Sequence, residues 1–367
     1  MEYRLEELFD LQMGKTPARN NPRYWGTTDN KWISIADLSK CGKYIKETKE
    51  YLSDVAIAES GISQIPANTV IMSFKLSIGK TAITYEPMYS NEAIMSFRDK
   101  HFIDLLPEYI YYLLVAHNWD EGTNKAVMGK TLNKATLSKV KVHIHPLEKQ
   151  EKIVSILNKL TDAIQEHQQQ LQKLDEVIKS RFVEMFGNPI INTKGWPKKR
   201  FDEICENLDS RRKPITASER EAGRYPYYGA SGVVDYVANY IFDEDLLLVS
   251  EDGANLLMRS TPIAFSVSGK VWVNNHAHVV RFKEMSMQKY IEIYFSMIDI
   301  SDQITGSAQP KLNQAKLNAI RFAIPNEALL DEYYDFIKKV DKSKLHKFVT
   351  SQYDILKEGI YNAVIQN

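Results

Sequence analysis

The sequence between residues 146 and 187 reads PLEKQEKIVSILNKLTDAIQEHQQQLQKLDEVIKSRFVEMFG. Its apolar positions recur in alternating steps of four and three residues, with Glu, Gln and Lys filling most positions between them. This spacing is typical of a coiled-coil seam, because it keeps one apolar stripe turned toward a partner helix over several heptads. The predicted seam consists of Ile153, Leu157, Leu160, Ile164, His167, Leu171, Leu174 and Ile178.

Helix start and stop signals bound this segment. Pro146 suits the first turn of a helix, where its missing N–H costs nothing, and Gly187 with Pro189 closes the other end. A helix of this length is too long to be buried within one small core, so the sequence predicts a spacer rod. His167 is a polar position within the seam. We interpret it as a residue that fixes helix pairing, with a pH-sensitive lock as the alternative.

A second segment without Gly or Pro follows Pro325 and continues to Gly359. Its apolar stripe is interrupted at Asp341, where the steps are four and four, a stutter that locally unwinds a supercoil. Two rods in one chain predict an intramolecular antiparallel pair. The predicted stripe contains Leu330, Tyr334, Ile337, Leu345, Val349, Gln352, Leu356 and Ala363.

The chain also carries an internal duplication. Residues 132–137 read LNKATL and residues 312–317 read LNQAKL, at an offset of 180 residues. Residues 4–8 read RLEEL and residues 200–204 read RFDEI, at an offset of 196 residues. The offset falls from 196 residues at the start of the repeat to 180 near its end, so the first copy holds about 16 additional residues in its interior, which loops absorb readily. The sequence therefore predicts the order globular domain, rod, globular domain, rod.

Each globular part mixes strand and helix patterns. Strands are predicted at residues 68–74, 80–85, 140–144, 246–250, 262–267, 271–273 and 320–324, and helices at residues 105–117 and 288–298. The predicted fold class is α+β, with two structurally similar domains separated by two long antiparallel coiled-coil helices. The predicted segments are residues 1–145 and 188–324 for the domains, and residues 146–187 and 325–367 for the helices.

Composition limits the possible partners and location. The 47 basic and 47 acidic residues cancel, so any attraction to nucleic acid must come from local basic patches. Cys41 and Cys205 are too few for a disulfide framework or a Cys-rich zinc module, and they fit a reducing compartment. There is no apolar signal region after Met1 and no apolar run approaching the length of a membrane span. We expect a cytoplasmic protein.

Several catalytic motifs fail on inspection. Gly-Lys-Thr begins at Gly14, Gly79 and Gly129, but none of the three has the glycine five residues upstream that a Walker A phosphate loop requires. Residues 21–24 read NPRY, which differs from the Asn-Pro-Pro-Tyr motif of amino-methyltransferases, and no glycine-rich loop for a methyl donor precedes them. No nucleophile elbow or nuclease core is evident. We expect no catalytic residue and no bound cofactor.

Two histidine pairs raise the question of a metal. The sequences His143-Ile-His145 and His276-Ala-His278 each place two imidazoles on one face of a strand. A metal site needs a third ligand at matched spacing, and none is evident. Polar contacts are the favoured interpretation, and we expect no metal.

Basic and aromatic residues in loops remain as candidates for nucleic-acid binding. Arg and Lys neutralise phosphates or read guanine edges, and Asn reads adenine. For any single residue a solvated surface role is the alternative, but the repetition of the clusters in both copies favours binding. The candidates are Lys15, Arg19, Arg23, Tyr24, Trp25, Lys31, Lys130, Asn133 and Lys134 in the first copy, and Arg211, Arg212, Lys213, Tyr227, Tyr228, Asn274, Asn275, His276, Lys311 and Asn313 in the second.

Residues 147–154, LEKQEKIV, and residues 174–187, LDEVIKSRFVEMFG, resemble the central conserved region of specificity subunits of type I restriction-modification systems. Residues 225–232, 251–255 and 274–278, which read YPYYGASG, EDGAN and NNHAH, resemble one common class of target recognition domain. The likeness spans essentially the whole chain. The C-terminal rod departs from it, because it lacks the closing Lys-Ser-Arg-Phe pattern, and this departure bears on partner binding at that end.

The resemblance implies a non-catalytic subunit that recognises DNA. Each target recognition domain would read one half of a bipartite, asymmetric site in double-stranded DNA, and the paired helices would set the spacer. Two methyltransferase subunits would dock on the chain and methylate adenine with S-adenosylmethionine, and restriction subunits with ATP and Mg²⁺ would join for cleavage. Because partners would supply much of the phosphate contact, the isolated chain should bind DNA weakly. The alternative is a coiled-coil scaffold with protein-binding globular ends.

Overall fold

The computed structural model describes residues 1–75, 77–119, 124–126, 129–306 and 309–340, with side chains omitted at 124–126 and 129–131. The described chain forms two compact units, the first ending at Gln168 and the second beginning at Gln169. This division falls inside one long helix, so each unit contains one end of it. The four segment boundaries proposed from the sequence stay predictions. In the described part of the chain, no helix has both the length and the apolar content that crossing a membrane requires.

The described residues of the first unit form twelve strands and five helices before the long helix. The strands are β1 Glu2–Arg4, β2 Phe9–Met13, β3 Asn30–Ile33, β4 Tyr44–Ile45, β5 Glu50–Leu52, β6 Val70–Ser73, β7 Thr81–Thr84, β8 Tyr89–Ser90, β9 Ile94–Asp99, β10 Asn124–Ala126, β11 Gly129–Thr131 and β12 Lys141–His143. The helices are α1 Leu5–Leu8, α2 Ile35–Lys40, α3 Asp54–Ser60, α4 Pro107–Ala116 and α5 Lys134–Ser138, and the long helix is α6 Leu147–Phe186.

A five-stranded sheet in the order β2-β9-β6-β7-β4 forms the centre of the first unit. Every residue of β6 and β7 is buried, as expected for central strands rich in apolar and β-branched residues. Helix α4 packs against these two strands. A smaller sheet has the order β5-β3-β8, and β1 pairs antiparallel with β12. The strand that opens the unit therefore lies beside the strand that precedes α6.

The described residues of the second unit form ten strands and four further α-helices. The strands are β13 Lys198–Arg200, β14 Glu206–Asn207, β15 Ala222–Gly229, β16 Gly232–Val237, β17 Phe242–Asp243, β18 Leu246–Ser250, β19 Ala264–Val267, β20 Lys270–Val273, β21 Ala277–Arg281 and β22 Arg321–Ala323. The helices are α7 Asn255–Met258, α8 Met285–Met297 and α9 Gln314–Ala319, and α10 Glu327–Lys339 follows. Its sheets have the orders β14-β21-β18-β19 and β16-β15-β20-β17, and β13 pairs with β22.

The two units repeat one topology. The antiparallel order β2-β9-β6-β7 corresponds to β14-β21-β18-β19, and the other main sheet of each unit contains one parallel pair, β3 with β8 and β15 with β20. Each unit is closed by an antiparallel pair of its first and last strands. The α+β class and the two similar domains are therefore as predicted. All seven predicted strands and both predicted helices are also confirmed, with bounds shifted by at most three residues.

The repeated LNxA motif marks the start of a helix in each unit. Asn133 caps α5 by accepting a hydrogen bond from the Thr136 N–H, and Asn313 caps α9 by accepting one from the Lys316 N–H. Ahead of these caps, the Leu132 N–H donates to the Phe74 carbonyl at 3.1 Å, and the Leu312 N–H donates to the Glu251 carbonyl at 2.8 Å. The duplication seen in the sequence is thus a duplication of hydrogen-bonded structure.

The N-terminal end of α6 is fixed in the first unit by Gln150, which is almost fully buried. Its amide oxygen accepts from the Leu106 N–H at 3.1 Å, and its amide nitrogen donates to the carbonyls of Asp104 and His145 at 3.0 and 2.9 Å. Further along, the Tyr112 hydroxyl donates to Asn158. Gln150 belongs to the LEKQEKIV motif, so part of that motif serves to satisfy loop backbone groups.

Four residues of the predicted seam are buried and four are half-buried. The buried ones are Ile153, Leu157, Ile164 and Ile178, and the half-buried ones are Leu160, His167, Leu171 and Leu174. The ring of His167 contacts the carbonyl of Ala163 in its own helix at 2.6 Å. On the second rod, Leu345, Val349 and Leu356 lie outside the described residues, so the pairing of the two rods stays a prediction.

The C-terminal end of α6 lies in an aromatic core of the second unit. Phe182 stacks on Tyr290 with ring centres 5.0 Å apart, and it meets Tyr333 of α10 edge to face at 5.7 Å. The Tyr333 hydroxyl donates to the Ile178 carbonyl at 3.0 Å. Tyr333 is therefore buried where the sequence pattern predicted Tyr334, because the helix turns the ring with the satisfied hydroxyl toward the core.

Replacing Phe182 with Ala should lower the free energy of unfolding by about 3–5 kcal/mol, because it leaves a cavity among several rings. Replacing Tyr333 with Phe should cost about 1 kcal/mol, the net value of one hydrogen bond. Urea unfolding followed by circular dichroism measures both changes. The control is Val183→Ala on the exposed side of the same helix turn, which should change stability by about 0.5 kcal/mol or less. Equal losses for Phe182→Ala and the control would contradict this packing.

Candidate nucleic-acid interface

Arg19 is the best-ordered cation among the candidates of the first unit. Its guanidinium lies 3.9 Å from the ring centre of Trp25 and 4.7 Å from that of Trp32, and it pairs with both carboxylate oxygens of Glu50. The two indoles meet edge to face at 5.1 Å. Cation–π contacts and a bidentate pair hold the guanidinium plane in one orientation while half of the side chain stays exposed.

Arg23 and Tyr24 are held against helix α3. The Tyr24 hydroxyl donates to Glu59 at 2.9 Å, and this hydrogen bond raises the pKa of Tyr24 above its ordinary value. Arg23 pairs with the same carboxylate at 3.5 Å. Ser53, the N-cap of α3, donates its hydroxyl to the Arg23 carbonyl and its N–H to the Tyr24 carbonyl. The loop therefore presents a basic and an aromatic side chain from a fixed backbone.

Lys31 is committed to protein partners. Its ammonium contacts Glu86 at 2.6 Å, Glu47 at 3.3 Å and the Lys46 carbonyl at 2.6 Å. The hydrogen bond to Glu86 is the main reason that the pKa of Lys31 is raised. A phosphate would have to displace these acceptors, so the structure favours a structural role for Lys31.

Lys15 and Lys134 come from separate sequence clusters and line the same cleft of the first unit. The Lys15 ammonium donates to the Ser60 carbonyl, and Lys134 is exposed. Asn133 next to it is occupied as a helix cap, as is Asn313 in the second unit. The side chain of Lys130 lies outside the described residues.

In the second unit, Arg212 is buried in an ion cluster instead of facing solvent. Its side chain is 14% exposed and contacts Glu251 at 2.6 Å, Asp209 at 3.5 Å and the Ala277 carbonyl at 2.8 Å. The neighbouring His278 contacts Asp209 through Nδ1 at 2.6 Å and the Leu312 carbonyl through Nε2 at 2.7 Å. The prediction of Arg212 as a direct DNA contact is therefore corrected, because its hydrogen-bond donors already meet buried acceptors.

The electrostatics of this cluster follow from its partners. Burial raises the pKa of the Asp209 carboxyl, but the hydrogen bond and charge of His278 outweigh it, so the pKa is lowered overall. Burial likewise opposes ionisation of Glu251, and the hydrogen bond from Arg212 and the nearby charges lower its pKa below the ordinary value. Both carboxylates are thus stabilised in the ionised form.

Asp209, Glu251 and His278 each offer one ligand atom, and these atoms lie within 4.8 Å of one another. A metal ion is not required to neutralise them, since Arg212 contacts both carboxylates and Lys311 contacts Glu251 at 3.2 Å. The cations of the chain therefore occupy the role that a metal would fill.

The NNHAH motif at residues 274–278 contains both buried and exposed residues. Asn274 is buried and its side-chain oxygen accepts the His276 N–H, whereas Asn275 is exposed. The His276 ring is half exposed and contacts Asp252 at 2.8 Å. His276 and Asn275 remain accessible to a ligand, and Asn274 shapes the turn that presents them.

Tyr227 is corrected from a surface candidate to a core residue. It is 1% exposed, its hydroxyl lies between the N–H and the carbonyl of Ile215, and Arg220 covers its ring at 4.5 Å. Tyr228 is half-buried, with Phe265 at 6.1 Å. Strand alternation explains the difference, because neighbouring residues of β15 point to opposite faces of the sheet.

Arg211 and Lys213 are exposed on either side of Arg212. Arg211 pairs with Glu244 at 2.9 Å and lies over the ring of Phe242 at 4.6 Å. The backbone carbonyl of Lys213 accepts a hydrogen bond from the Trp272 indole at 2.6 Å, which fixes the position of this residue in its loop. Of the three adjacent basic residues, these two therefore face solvent.

Tyr227 and Tyr228 of β15 were named as candidates from the sequence, but strand β16, the other half of this hairpin, was missed as part of a binding surface. It carries exposed Val233, Val234 and Tyr236. Within β15, Arg224 lies over the ring of Tyr225 at 5.1 Å. Outside the hairpin, Lys270 lies over the ring of Tyr240 at 4.8 Å, and the rings of Tyr225 and Tyr240 meet at 5.1 Å. A two-stranded ribbon with basic and aromatic side chains fits the dimensions of a DNA major groove. The signal available in the sequence was the run of β-branched and aromatic residues in GVVDYV, residues 232–237, which is typical of a strand.

The family model for the type I restriction modification DNA specificity domain matches residues 1–176 and 193–364. The chain belongs to this family. Its two matched stretches contain the two repeated units, and they make the chain a specificity subunit with two DNA recognition domains, as the resemblance implied. The residues that contact DNA stay predictions.

Curated relatives of this specificity subunit include two from distant organisms. The type I restriction enzyme MjaIX specificity subunit of Methanocaldococcus jannaschii is 23% identical over 388 residues, covering 96% of this chain and 88% of the relative. A putative type I restriction enzyme specificity subunit of Haemophilus influenzae is 36% identical over 127 residues, covering 35% of this chain and only 32% of that protein.

The crystal structure of the S subunit of a type I restriction-modification system from M. genitalium aligns with 99% of this chain and 96% of its own, at a TM-score of 0.55 and 13% identity. At this identity the likeness concerns the fold alone.

Replacing Asp209 with Asn and Glu251 with Gln together should destabilise the specificity subunit in a pH-dependent manner. A lowered carboxyl pKa contributes stability that is fully present above the unfolded pKa and is lost as the pH falls through the folded pKa. The stability difference from wild type should therefore be largest above about pH 5 and shrink in more acidic solution. Thermal melting across pH 3–7 measures it.

The control for this pH series is Asp202→Asn, which removes an exposed carboxylate paired with Arg200. Solvent screens such a pair, so little change is expected at any pH. The Asp209 and Glu251 variant could instead differ from wild type by the same stability at every pH. That result would contradict the conclusion that the cluster stabilises both carboxylates in the ionised form.

Proposed function

We propose that this chain is the DNA sequence-recognition subunit of a type I restriction-modification complex, in which each target recognition domain reads one half of a bipartite, asymmetric DNA site. The observation that supports this most is one topology carrying two different loop surfaces. In the first unit Arg19 lies against the rings of two tryptophans. In the second unit the β15–β16 hairpin exposes Arg224, Val234 and Tyr236. Equal scaffolds with unequal side chains fit two half-sites of unequal sequence.

Helix α6 supports the proposed role in spacing. It is continuous over 40 residues, which corresponds to about 60 Å, and each end is anchored in the core of one unit. In the proposed complex, this helix and the C-terminal rod form the antiparallel coiled coil that sets the unread spacer between the half-sites.

Partner subunits would supply the chemistry. Helix α6 keeps Ile156, Val177 and Val183 exposed, with Ile156 at 65%, and apolar side chains on a helix surface suit helix-to-helix docking. We propose that two methyltransferase subunits dock on the coiled coil and that restriction subunits join them. The specificity subunit itself is non-catalytic in this proposal, and S-adenosylmethionine, ATP and Mg²⁺ bind the partners.

Deleting the gene from its host should remove methyladenine from one bipartite sequence and leave other methylation unchanged, because the recognition subunit directs where the methyltransferase acts. Methylome sequencing with and without the gene measures this. An unchanged pattern, with expression of the chain and its methyltransferase verified, would contradict the proposal. Equal binding of specific and scrambled duplexes by the reconstituted complex would favour the scaffold alternative instead.

Inserting one heptad into α6, with a matching heptad in the C-terminal rod, should lengthen the spacer by about three base pairs or abolish methylation. Seven residues add about 10 Å of helix, and each base pair rises about 3.4 Å. The bases of both half-sites should be unchanged in the methylome. The control is the same seven residues inserted after Gly42, a loop position with open space around it. A spacer of unchanged length with full methylation activity would contradict the proposal that the helices set the spacer.

A further inference from the structure

The two units differ at one buried position of their shared scaffold. The hydrogen bonds from Leu132 to Phe74 and from Leu312 to Glu251 make Phe74 and Glu251 structural equivalents. Strand register extends this correspondence. Met13 pairs with Met95 across β2 and β9. Continuing the register of β14 and β21 past the Asn207–Val280 pair places Asp209 opposite His278. The first unit therefore has Met13, Phe74 and Met95 where the second has Asp209, Glu251 and His278.

The cluster ties together four segments of the second unit, at residues 208–213, 251–253, 274–278 and 309–312, the third of which runs from a turn into the first two residues of β21. Arg212 reaches Glu251 in the second segment and the Ala277 carbonyl in the third. His278 joins Asp209 of the first segment to the Leu312 carbonyl of the fourth. Lys311 also contacts Glu251. Each segment is thus bonded to at least one other through a charged side chain.

Stability alone does not account for this arrangement. Burying ions costs desolvation energy, and well-packed apolar residues of similar volume often give equal or greater stability. In the first unit the corresponding buried residues are Phe74 and Met95, and Met13 lies beside them with 38% of its surface exposed, so the scaffold tolerates apolar residues here. The ionic cluster adds directional hydrogen bonds and ion pairs, which fix the relative positions of the loops.

The surface above the cluster carries several of the accessible candidate side chains of the second unit. Lys213 follows Arg212 directly, and Asn275 and His276 precede His278 by two to three residues. Lys311 is half exposed while its ammonium reaches into the cluster. A shift of the cluster would therefore move the side chains that face a ligand.

We propose that Asp209, Arg212, Glu251 and His278 are positioning residues that hold the base-reading loops of the second domain in register. This inference rests on the proposed DNA-reading function. It assigns base discrimination in one half-site to a buried cluster that does not itself touch DNA, and it expects no counterpart in the other half-site.

The test uses the complex reconstituted with its methyltransferase and duplexes carrying single base changes in either half-site. The apolar variant combines Asp209→Met, Glu251→Phe, His278→Met and Arg212→Met. The first three changes introduce the residues found at the equivalent positions of the first unit, and the fourth removes an arginine that would otherwise lose its acidic partners. The variant should melt at or above the wild-type temperature. Its discrimination against base changes should fall about tenfold or more in one half-site, as kcat/KM ratios, and stay unchanged in the other. Arg19→Ala should instead lower the discrimination against base changes in the half-site read by the first domain.

Further variants keep the outcome decisive. Asp209→Asn is isosteric and tests for the same loss of base discrimination if the apolar variant does not fold. Arg212→Lys should keep part of the base discrimination, because it keeps the positive charge. Arg281→Gln is the matched control, since Arg281 pairs with Glu206 and Glu244 in an exposed network of the same unit. Wild-type discrimination in a folded cluster variant, or equal loss in both half-sites, would overturn the positioning role. A wild-type complex without any half-site preference would instead overturn the proposed function.

Discussion

One continuous helix with its two ends anchored in different hydrophobic cores is the constraint on which this molecule depends. At the N-terminal end, the buried amide of Gln150 satisfies three backbone groups of the loops that approach the helix. At the C-terminal end, Phe182 and Phe186 insert between Tyr290 and Tyr333. The anchoring is polar at one end and aromatic at the other, and in both cases rotation of the helix would leave buried groups without partners.

Much of the architecture followed from periodicity. The 4-3 pattern predicted α6 almost to the residue, and the apolar runs predicted β6, β7 and β18, because buried strands and long amphipathic helices have strong local signals. The duplication also followed, since a repeated motif such as LNxA encodes a repeated helix cap. The face of α10 was misassigned to Tyr334, because a stripe with both Tyr333 and Tyr334 does not reveal which ring has an acceptor waiting for its hydroxyl.

The candidate site was less predictable. Basic and aromatic composition located the loops but not the orientation of each side chain. Arg212 and Tyr227 proved to be interior residues, because their partners Glu251 and Ile215 meet them only after the sheets have formed. Conversely, the exposed Val233, Val234 and Tyr236 of β16 have the sequence pattern of ordinary strand residues. Sequence patterns report burial periodicity, whereas the pairing of charges depends on contacts between distant segments.

The pairing of β1 with β12, and of β13 with β22, has an evolutionary consequence. In each unit the chain enters and leaves through two adjacent antiparallel strands, at Glu2 and His143 in one and at Lys198 and Ala323 in the other. Everything between those strands behaves as a cassette whose entry and exit are a few ångströms apart. Recombination at these edges would exchange one DNA recognition domain for another while preserving the helices, so new specificities would arise by shuffling instead of by gradual mutation.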